Sequence, residues 1–373
     1  MHDLSDPAIH RRVRMLTAGG ADVQLAGFRR TAAVPHEISG CEFVDLGQTR
    51  DGAFLARIGS VAAAGLNLGR LDQLVRGSQV VLARNLEMLY VAAKARRRYA
   101  PSAPLIYECL DIHRLLLGRA LPNRLLRAME KRLMRDVDHI LTSSPRFVSE
   151  YFAPRGFDRP ITILENKVLL VDREMDRQMS RPSGPPWKIG WFGMIRCRRS
   201  LEILSAAAQA MNGLLEVRIA GRPSPKEFPD FEAQVAACPH LSFLGSYRFE
   251  DLPKLYGDVH FSWAIDFFEE GLNSSWLLPN RIYESSFFGA IPIALQGVET
   301  ARWLQQRGIG AVLDGDPTAS LSEFIRDLTD ARYEELTAAL RNVPSPDLAA
   351  TRQSCGELLK SFETLGSLAR AGV

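Results

Sequence analysis

The sequence predicts an α/β protein built from two doubly wound domains, and three observations carry that prediction. Short β-branched or apolar runs alternate with amphipathic helical stretches along most of the chain, the pattern of parallel sheets with helical crossovers. The length, 373 residues, suits about two domains. Between two such series, residues 172–187 turn polar and then rich in proline and glycine (Arg181-Pro182-Ser183-Gly184-Pro185-Pro186), which is linker composition. The expected organisation is therefore a first domain over 1–170, a linker over 171–187, a second domain over 188–345, and a closing helix over 346–373.

In the first domain the apolar runs predict strands at 23–28, 43–46, 79–83, 105–107, 139–142 and 161–164. Helical periodicity fills 7–18, 52–75, 86–99, 123–135 and 145–152. In the second domain the strands fall at 188–192, 216–220, 241–244, 259–263, 291–294 and 311–313. Its helices fall at 201–211, 227–237, 251–256, 281–288, 300–307 and 320–328. Residues 333–365 read as helix in two pieces, broken at Pro344 and Pro346. Two such domains facing each other across a hinge make the cleft between them the expected ligand site.

The opening residues pose a conflict. Met1-His2-Asp3-Leu4-Ser5-Asp6-Pro7 reads as the loop after a first strand, with Ser5 or Asp6 capping the helix that starts near Pro7. The strand itself is missing, and in a doubly wound sheet it is central, so its loss leaves a buried slot. A wrongly assigned start codon is the expectation; a different strand order is the alternative.

Composition is that of a soluble globular protein, 46% hydrophobic and 24% charged. The five cysteines, Cys41, Cys109, Cys197, Cys238 and Cys355, show no zinc-ligand or redox spacing and read as reduced thiols in a cytosolic protein. No apolar run reaches membrane-spanning length. Charge is unevenly divided: residues 1–170 hold 25 Lys/Arg against 17 Asp/Glu, residues 171–373 hold 21 against 26. That split suggests different neighbours for the two halves, but no nucleic-acid recognition motif accompanies the basic one.

The richest stretch is Leu277-Leu278-Pro279-Asn280-Arg281-Ile282-Tyr283-Glu284, followed by Phe288-Gly289-Ala290-Ile291-Pro292-Ile293-Ala294. It predicts a loop, a helix opened near Pro279, a glycine stop at Gly289 and a buried strand. First-turn amides favour an anion, and Arg281 and Glu284, three residues apart, share a face. These parts suit a sugar nucleotide, with the first-turn amides and Arg281 toward the diphosphate and Glu284 accepting from ribose hydroxyls. An ordinary helix with a surface ion pair is the alternative.

Three stretches together resemble bacterial nucleotide-sugar glycosyltransferases of the GT-B fold, in the exopolysaccharide group and especially its succinoglycan-type members. The first is His2-Asp3-Leu4-Ser5-Asp6-Pro7 with Arg11-Arg12. The second runs Tyr107-Glu108-Cys109-Leu110-Asp111-Ile112-His113 and continues at Asp138-His139-Ile140-Leu141-Thr142-Ser143-Ser144. The third runs from Gly190-Trp191-Phe192-Gly193 to Pro279-Asn280-Arg281-Ile282-Tyr283-Glu284. The resemblance implies transfer of a hexose from a UDP-sugar to a lipid-linked oligosaccharide, at the inner face of the plasma membrane. There are two departures from the pattern. Many retaining relatives carry a glutamate eight positions before Glu284, where this chain has Trp276, so the stereochemistry of transfer stays open. The usual lysine after the second domain's first strand gives way to Arg196, Arg198 and Arg199. Arginine binds phosphate bidentately, so diphosphate binding survives the exchange.

On these readings the donor-binding candidates are Gly193, Arg196, Arg198, Asp266, Glu269, Asn280, Arg281 and Glu284. Gly193 allows close approach to phosphate, and Asp266 or Glu269, on the loop after the 259–263 strand, can take sugar hydroxyls; a solvated acidic loop is the alternative. Asp111 and His113 follow the strand at 105–107 and are the catalytic candidates, one as base for the acceptor hydroxyl; a helix cap at Asp111 is the alternative. No metal constellation is visible, no cofactor is expected, and the arginines make a divalent ion unnecessary. Between Arg114 and Arg135 stand seven basic residues against the single acid Glu130, interleaved with leucines. Arg124, Arg127, Lys131 and Arg132 are the candidates for contact with an anionic membrane surface; a core-facing helix with a solvated basic back is the alternative. Competing functions are a sugar-nucleotide epimerase of the same architecture and a catalytically silent scaffold.

Overall fold

The computed structural model describes residues 1–30, 37–49, 54–172, 175, 177 and 183–371. The chain forms two units. The first comprises Met1–Glu165, Leu169–Arg173 and Ala350–Val373; the second comprises Asn166–Val168 and Glu174–Ala349.

In chain order the first series is α1 (Pro7–Ala18), β1 (Leu25–Arg29), β2 (Phe43–Gln48), α2 (Phe54–Leu66), α3 (Asp72–Val75), β3 (Val81–Arg84), α4 (Asn85–Tyr99) and β4 (Leu105–Cys109). It continues with α5 (Arg114–Leu117), α6 (Leu121–Leu133), β5 (His139–Thr142), α7 (Pro145–Phe147), β6 (Ile161–Ile163) and β7 (Val168–Leu170). The strands lie in a parallel four-stranded sheet ordered β3-β4-β5-β6 and a separate parallel pair, β1-β2. Helix α1 starts where the sequence signals it: Asp6 accepts a hydrogen bond from the Ala8 amide, and Pro7 occupies the first turn.

The second series is β8 (Trp187–Ile195), α8 (Arg198–Ala210), β9 (Leu215–Pro223), α9 (Phe231–Ala236), β10 (Leu241–Phe243), α10 (Leu252–Gly257), β11 (Phe261–Trp263), α11 (Asn273–Trp276) and α12 (Asn280–Phe287). Then come β12 (Ile291–Leu295), α13 (Glu299–Arg307), β13 (Ala311–Leu313), α14 (Pro317–Asp327), α15 (Asp330–Arg341) and α16 (Ser345–Leu348). Its six-stranded parallel sheet is ordered β10-β9-β8-β11-β12-β13. Strand order reverses between β8 and β11, the position at which open α/β sheets place ligands beyond their carboxyl ends. Buried tryptophans Trp191 and Trp263 lie on those two strands. The chain ends with β14 (Ala349–Thr351), which pairs with β7, and α17 (Arg352–Ala371), which packs on α1.

Several elements depart from the sequence expectation. The start of the expected helix at 52–75 and most of the linker at 172–187 lie outside the described residues. The rest of the former is α2, a 3₁₀ turn over Leu68–Leu71 and α3, broken at Asn67, whose backbone (φ −100°, ψ 63°) is not helical. The helix expected at 123–135 starts earlier, as α5 and then α6, because Pro122 is accommodated in the first turn of α6. Strand β8 runs on to Ile195 because glycine faces glycine across the ladder: a Cβ on Gly221 would lie 1.8 Å from the Gly193 carbonyl oxygen.

Candidate functional site

Helix α12 is the centre of the candidate site. Pro279 (φ −72°, ψ 148°) caps it with extended backbone, and Gly289 follows its end at φ +81°, a conformation glycine adopts without strain. Asn280 is exposed at its first position. The Arg281 guanidinium donates to the Trp263 carbonyl at the end of β11, 3.3 Å away. One turn later the Glu284 carboxylate accepts from the Tyr256 hydroxyl at 3.1 Å. Tyr256 is fully buried, stacked on Phe288 and edge-on to Phe192. Burial and then the Glu284 charge push its phenol well above the usual range, so it stays a donor.

Tyr247 joins this group. Burial and the neighbouring Glu284 carboxylate raise its phenol, and Arg281 opposes them. A Cβ on Gly193 would come 4.0 Å from its hydroxyl, so Gly193, Tyr247, Arg281 and Glu284 are neighbours. Neither tyrosine was expected from the sequence, since each meets the site only through tertiary packing.

A second group sits on the loop after β11. Arg196 pairs with Asp266 at 3.2 Å and lies over the Phe268 ring; Arg199 pairs with Glu270 at 2.7 Å and lies over Phe267. Asp266 also accepts from the Phe268 amide, and Glu269 accepts from the Asn273 side-chain amide at 2.8 Å. A cavity of about 300 Å³ opens beside this loop, lined by Asp266, Glu270 and Ser274 on one side and Gly297 and Thr300 on the other. The three arginines are thus separated. Arg196 and Arg199 meet the acidic loop, whereas Arg198 turns to Glu227 at 3.3 Å. The structure brings together Gly193, Arg281 and Glu284 on the one hand and Arg196 with Asp266 on the other.

In the first unit Asp111 and His113 follow β4 and are exposed. His113 caps α5, its Nδ1 accepting from the Leu115 amide at 3.2 Å, so the cap falls at His113 and not at Asp111. Behind them lies a buried ionic cluster absent from the sequence expectations: Glu108 accepts from Arg12 at 2.6 Å and from Arg84 at 2.7 Å. Burial alone would raise the Glu108 carboxyl, but the two guanidiniums outweigh it and hold it at about 2. Glu130, on the inner side of α6, has the opposite fate. Burial lifts it to about 7, although the Tyr151 hydroxyl donates to it at 2.6 Å.

Around α6, Arg124, Lys131 and Arg132 are exposed. Arg127 departs from the expected membrane-facing set: its guanidinium turns inward onto the carbonyls of Leu116 and Gly118. Leu121, Leu125 and Met129, spaced four apart, are exposed at 66%, 65% and 39%, an apolar stripe along the basic surface. Among the described residues no group of three or more His, Cys, Asp or Glu side chains is placed to hold a metal ion, and no helix is long and apolar enough to cross a membrane.

No family model matches the chain. It is 47% identical over 370 residues to the succinoglycan biosynthesis protein ExoL of Rhizobium meliloti, a match covering 97% of this chain and 92% of that one. Among solved structures it is similar to HepE of Anabaena in complex with UDP (TM-score 0.68, 13% identity, 98% of each chain covered). It is also similar to the sucrose-phosphate synthase of Thermosynechococcus elongatus (TM-score 0.66, 12% identity, 98% of this chain and 93% of that one). The fold is GT-B.

Proposed function

Because the chain belongs to the family of the succinoglycan biosynthesis protein ExoL, we propose that it is a glycosyltransferase acting in exopolysaccharide assembly. It moves a hexose from a UDP-sugar to a lipid-linked oligosaccharide, without a metal ion. The observation that carries this reading is the pairing of Arg281 and Glu284 on one face of α12, at the carboxyl edge of the second unit's sheet, with Tyr256 holding Glu284 in place. That arrangement suits a nucleotide: Glu284 accepts from the ribose hydroxyls, and arginine charge offsets the diphosphate as it leaves. The UDP-bound HepE of the same fold supports uracil as the base. Asp266, which pairs with Arg196, borders the cavity suited to the hexose.

Asp111 and His113, exposed beyond β4, are the groups for the acceptor hydroxyl. The α6 stripe and its basic flanks support docking of the first unit on an anionic leaflet, where a lipid-linked acceptor resides. A donor screen by nucleotide release, with and without membrane lipid extract, tests the reading. UDP release from one UDP-sugar that rises with extract is the expected result. Calorimetry showing no binding of UDP or GDP would overturn it in favour of a scaffold.

A further inference from the structure

The turn that follows Asp111 and His113 is held from outside. Helix α5 has four residues, closed by the Leu116 amide donating to the His113 carbonyl at 2.7 Å. A single helical turn is not stable by itself, because nucleation costs more than one hydrogen bond returns. Its last carbonyls cannot be paired within so short a helix, and three side chains pair them instead. Asn123 donates to the Leu115 carbonyl at 2.6 Å and Arg155 to the Leu116 carbonyl at 3.1 Å. Arg127 donates to Leu116 at 3.3 Å and also to Gly118. Gly118 admits this close approach: a Cβ there would lie 2.6 Å from the Asn123 side-chain nitrogen.

The guanidiniums are themselves braced. Arg155 lies over the Tyr151 ring at 3.7 Å, and the Tyr151 hydroxyl donates to the buried Glu130 carboxyl at 2.6 Å. Tyr151 belongs to a π-helical turn, Val148–Phe152, a wide backbone form frequent at functional sites. Burial raises the Glu130 carboxyl, and the Tyr151 bond and then the charges of Arg155 and Arg127 oppose that rise. Tyr107 and Cys109 face Glu130 from β4. A chain of contacts thus runs from Glu130 through a ring and a guanidinium to the α5 carbonyls.

Residues 110–113 are pinned between this clamp and the sheet. The Ser143 hydroxyl donates to the Leu110 carbonyl at 3.5 Å, and the Cys109 thiol to the Asp111 carbonyl at 3.6 Å. Ile112 is fully buried, with Asp111 and His113 exposed on either side of it. His113 is the residue on which α5 begins, its Nδ1 accepting from the Leu115 amide, so a displacement of α5 displaces His113.

We propose that Arg127 and Arg155 are positioning residues for the acceptor: by clamping the α5 turn they keep Asp111 and His113 in the orientation that the acceptor hydroxyl requires. That role rests on the reading of Asp111 or His113 as the group serving the hydroxyl. Misplacing a reacting group by about 1 Å, through a change remote from the chemistry, costs about a hundredfold in rate.

Two measurements on the full chain test the clamp. In hydrogen exchange read by mass spectrometry, Arg127→Met and Arg155→Met speed exchange across residues 111–118 by about tenfold, as a lost bond from a charged donor implies. Peptides of the second unit exchange as before. In transfer assays with membrane lipid extract, each variant lowers kcat by about 10–100-fold while calorimetry gives unchanged UDP affinity. Arg127→Lys and Arg155→Lys, which restore one carbonyl bond, recover part of the rate. Added to Asp111→Ala/His113→Ala, Arg155→Met slows transfer no further, because the groups it positions are gone. An equal further loss in that background, unchanged exchange in both methionine variants, or normal transfer despite faster exchange would overturn the role. Normal transfer in both Asp111→Ala and His113→Ala would remove the acceptor reading, and the positioning role with it, while the exchange effect of the clamp persists.

Discussion

Glu284 owes its position to Tyr256, and that contact separates two roles at the residue scale. Glu284→Ala removes charge-assisted hydrogen bonds to the ribose and weakens UDP binding by about 1.5–3 kcal/mol. Tyr256→Phe leaves the carboxylate but removes a hydrogen bond that orients it, so calorimetry shows a smaller loss, about 1 kcal/mol. Equal UDP affinity in folded wild type and Glu284→Ala would remove Glu284 from the site. For the acceptor, alanine at the true base, Asp111 or His113, lowers the transfer rate by about a hundredfold while sparing UDP affinity. Normal turnover in both variants would place the base elsewhere. Glu130 gives a pH signature. Its carboxyl is raised to about 7 in the fold, so the folded state holds a proton that the unfolded chain loses near pH 4.5. Stability from this group is therefore full below about pH 4.5, falls as pH rises toward 7, and loses about 3 kcal/mol in total. Glu130→Gln flattens that slope in denaturant titrations between pH 5 and 7; a slope unchanged by the substitution would assign it to another group.

At the scale of elements, α6 makes the most direct prediction. Leu121, Leu125 and Met129 form an exposed stripe, with Arg124, Lys131 and Arg132 exposed on the same helix. Replacing the three basic residues with glutamine releases the protein from phosphatidylserine-containing vesicles in sedimentation assays, each charge contributing about 1 kcal/mol and less at high salt. UDP affinity stays unchanged. Failure of the unmutated protein to sediment even at low salt would rule the surface out. The same helix shows what the sequence could reveal. Its basic, leucine-rich composition was legible, but the inward turn of Arg127 was not, because the carbonyls it meets belong to the α5 turn. Alternation of apolar runs located β1–β6 and β8–β13, since buried parallel strands leave a strong apolar signal, but missed β7 and β14, a pair of only three residues each. The extension of β8 through Gly193 was hidden, since glycine reads as a stop until its partner Gly221 is known. Arg12, Arg84 and Glu108 converge from positions 96 and 24 residues apart, a grouping no local pattern encodes.

For the whole molecule, basic character belongs to the first half and acidic character to the second. The proposed division of labour follows the same line, with the lipid-facing surface on one unit and the nucleotide on the other. Yet the first unit is not one continuous stretch of chain. Helix α17, from the last residues, packs on α1 so closely that a Cβ on Gly19 would come 2.6 Å from the Cys355 carbonyl.

That closure sets the order in which the protein takes shape during synthesis. The second unit's segment, Glu174–Ala349, is synthesised before the residues that complete the first unit. The amino-terminal unit, though synthesised first, is finished last, reversing the usual order of domains on the ribosome. Nascent chains stalled with a flexible linker in place of residues 350–373, long enough to clear the exit tunnel, should resist protease across the second unit and be cut within the first, and release of the full chain should protect both. Early protection of the first unit in the stalled chains would show that it matures without its closing helix.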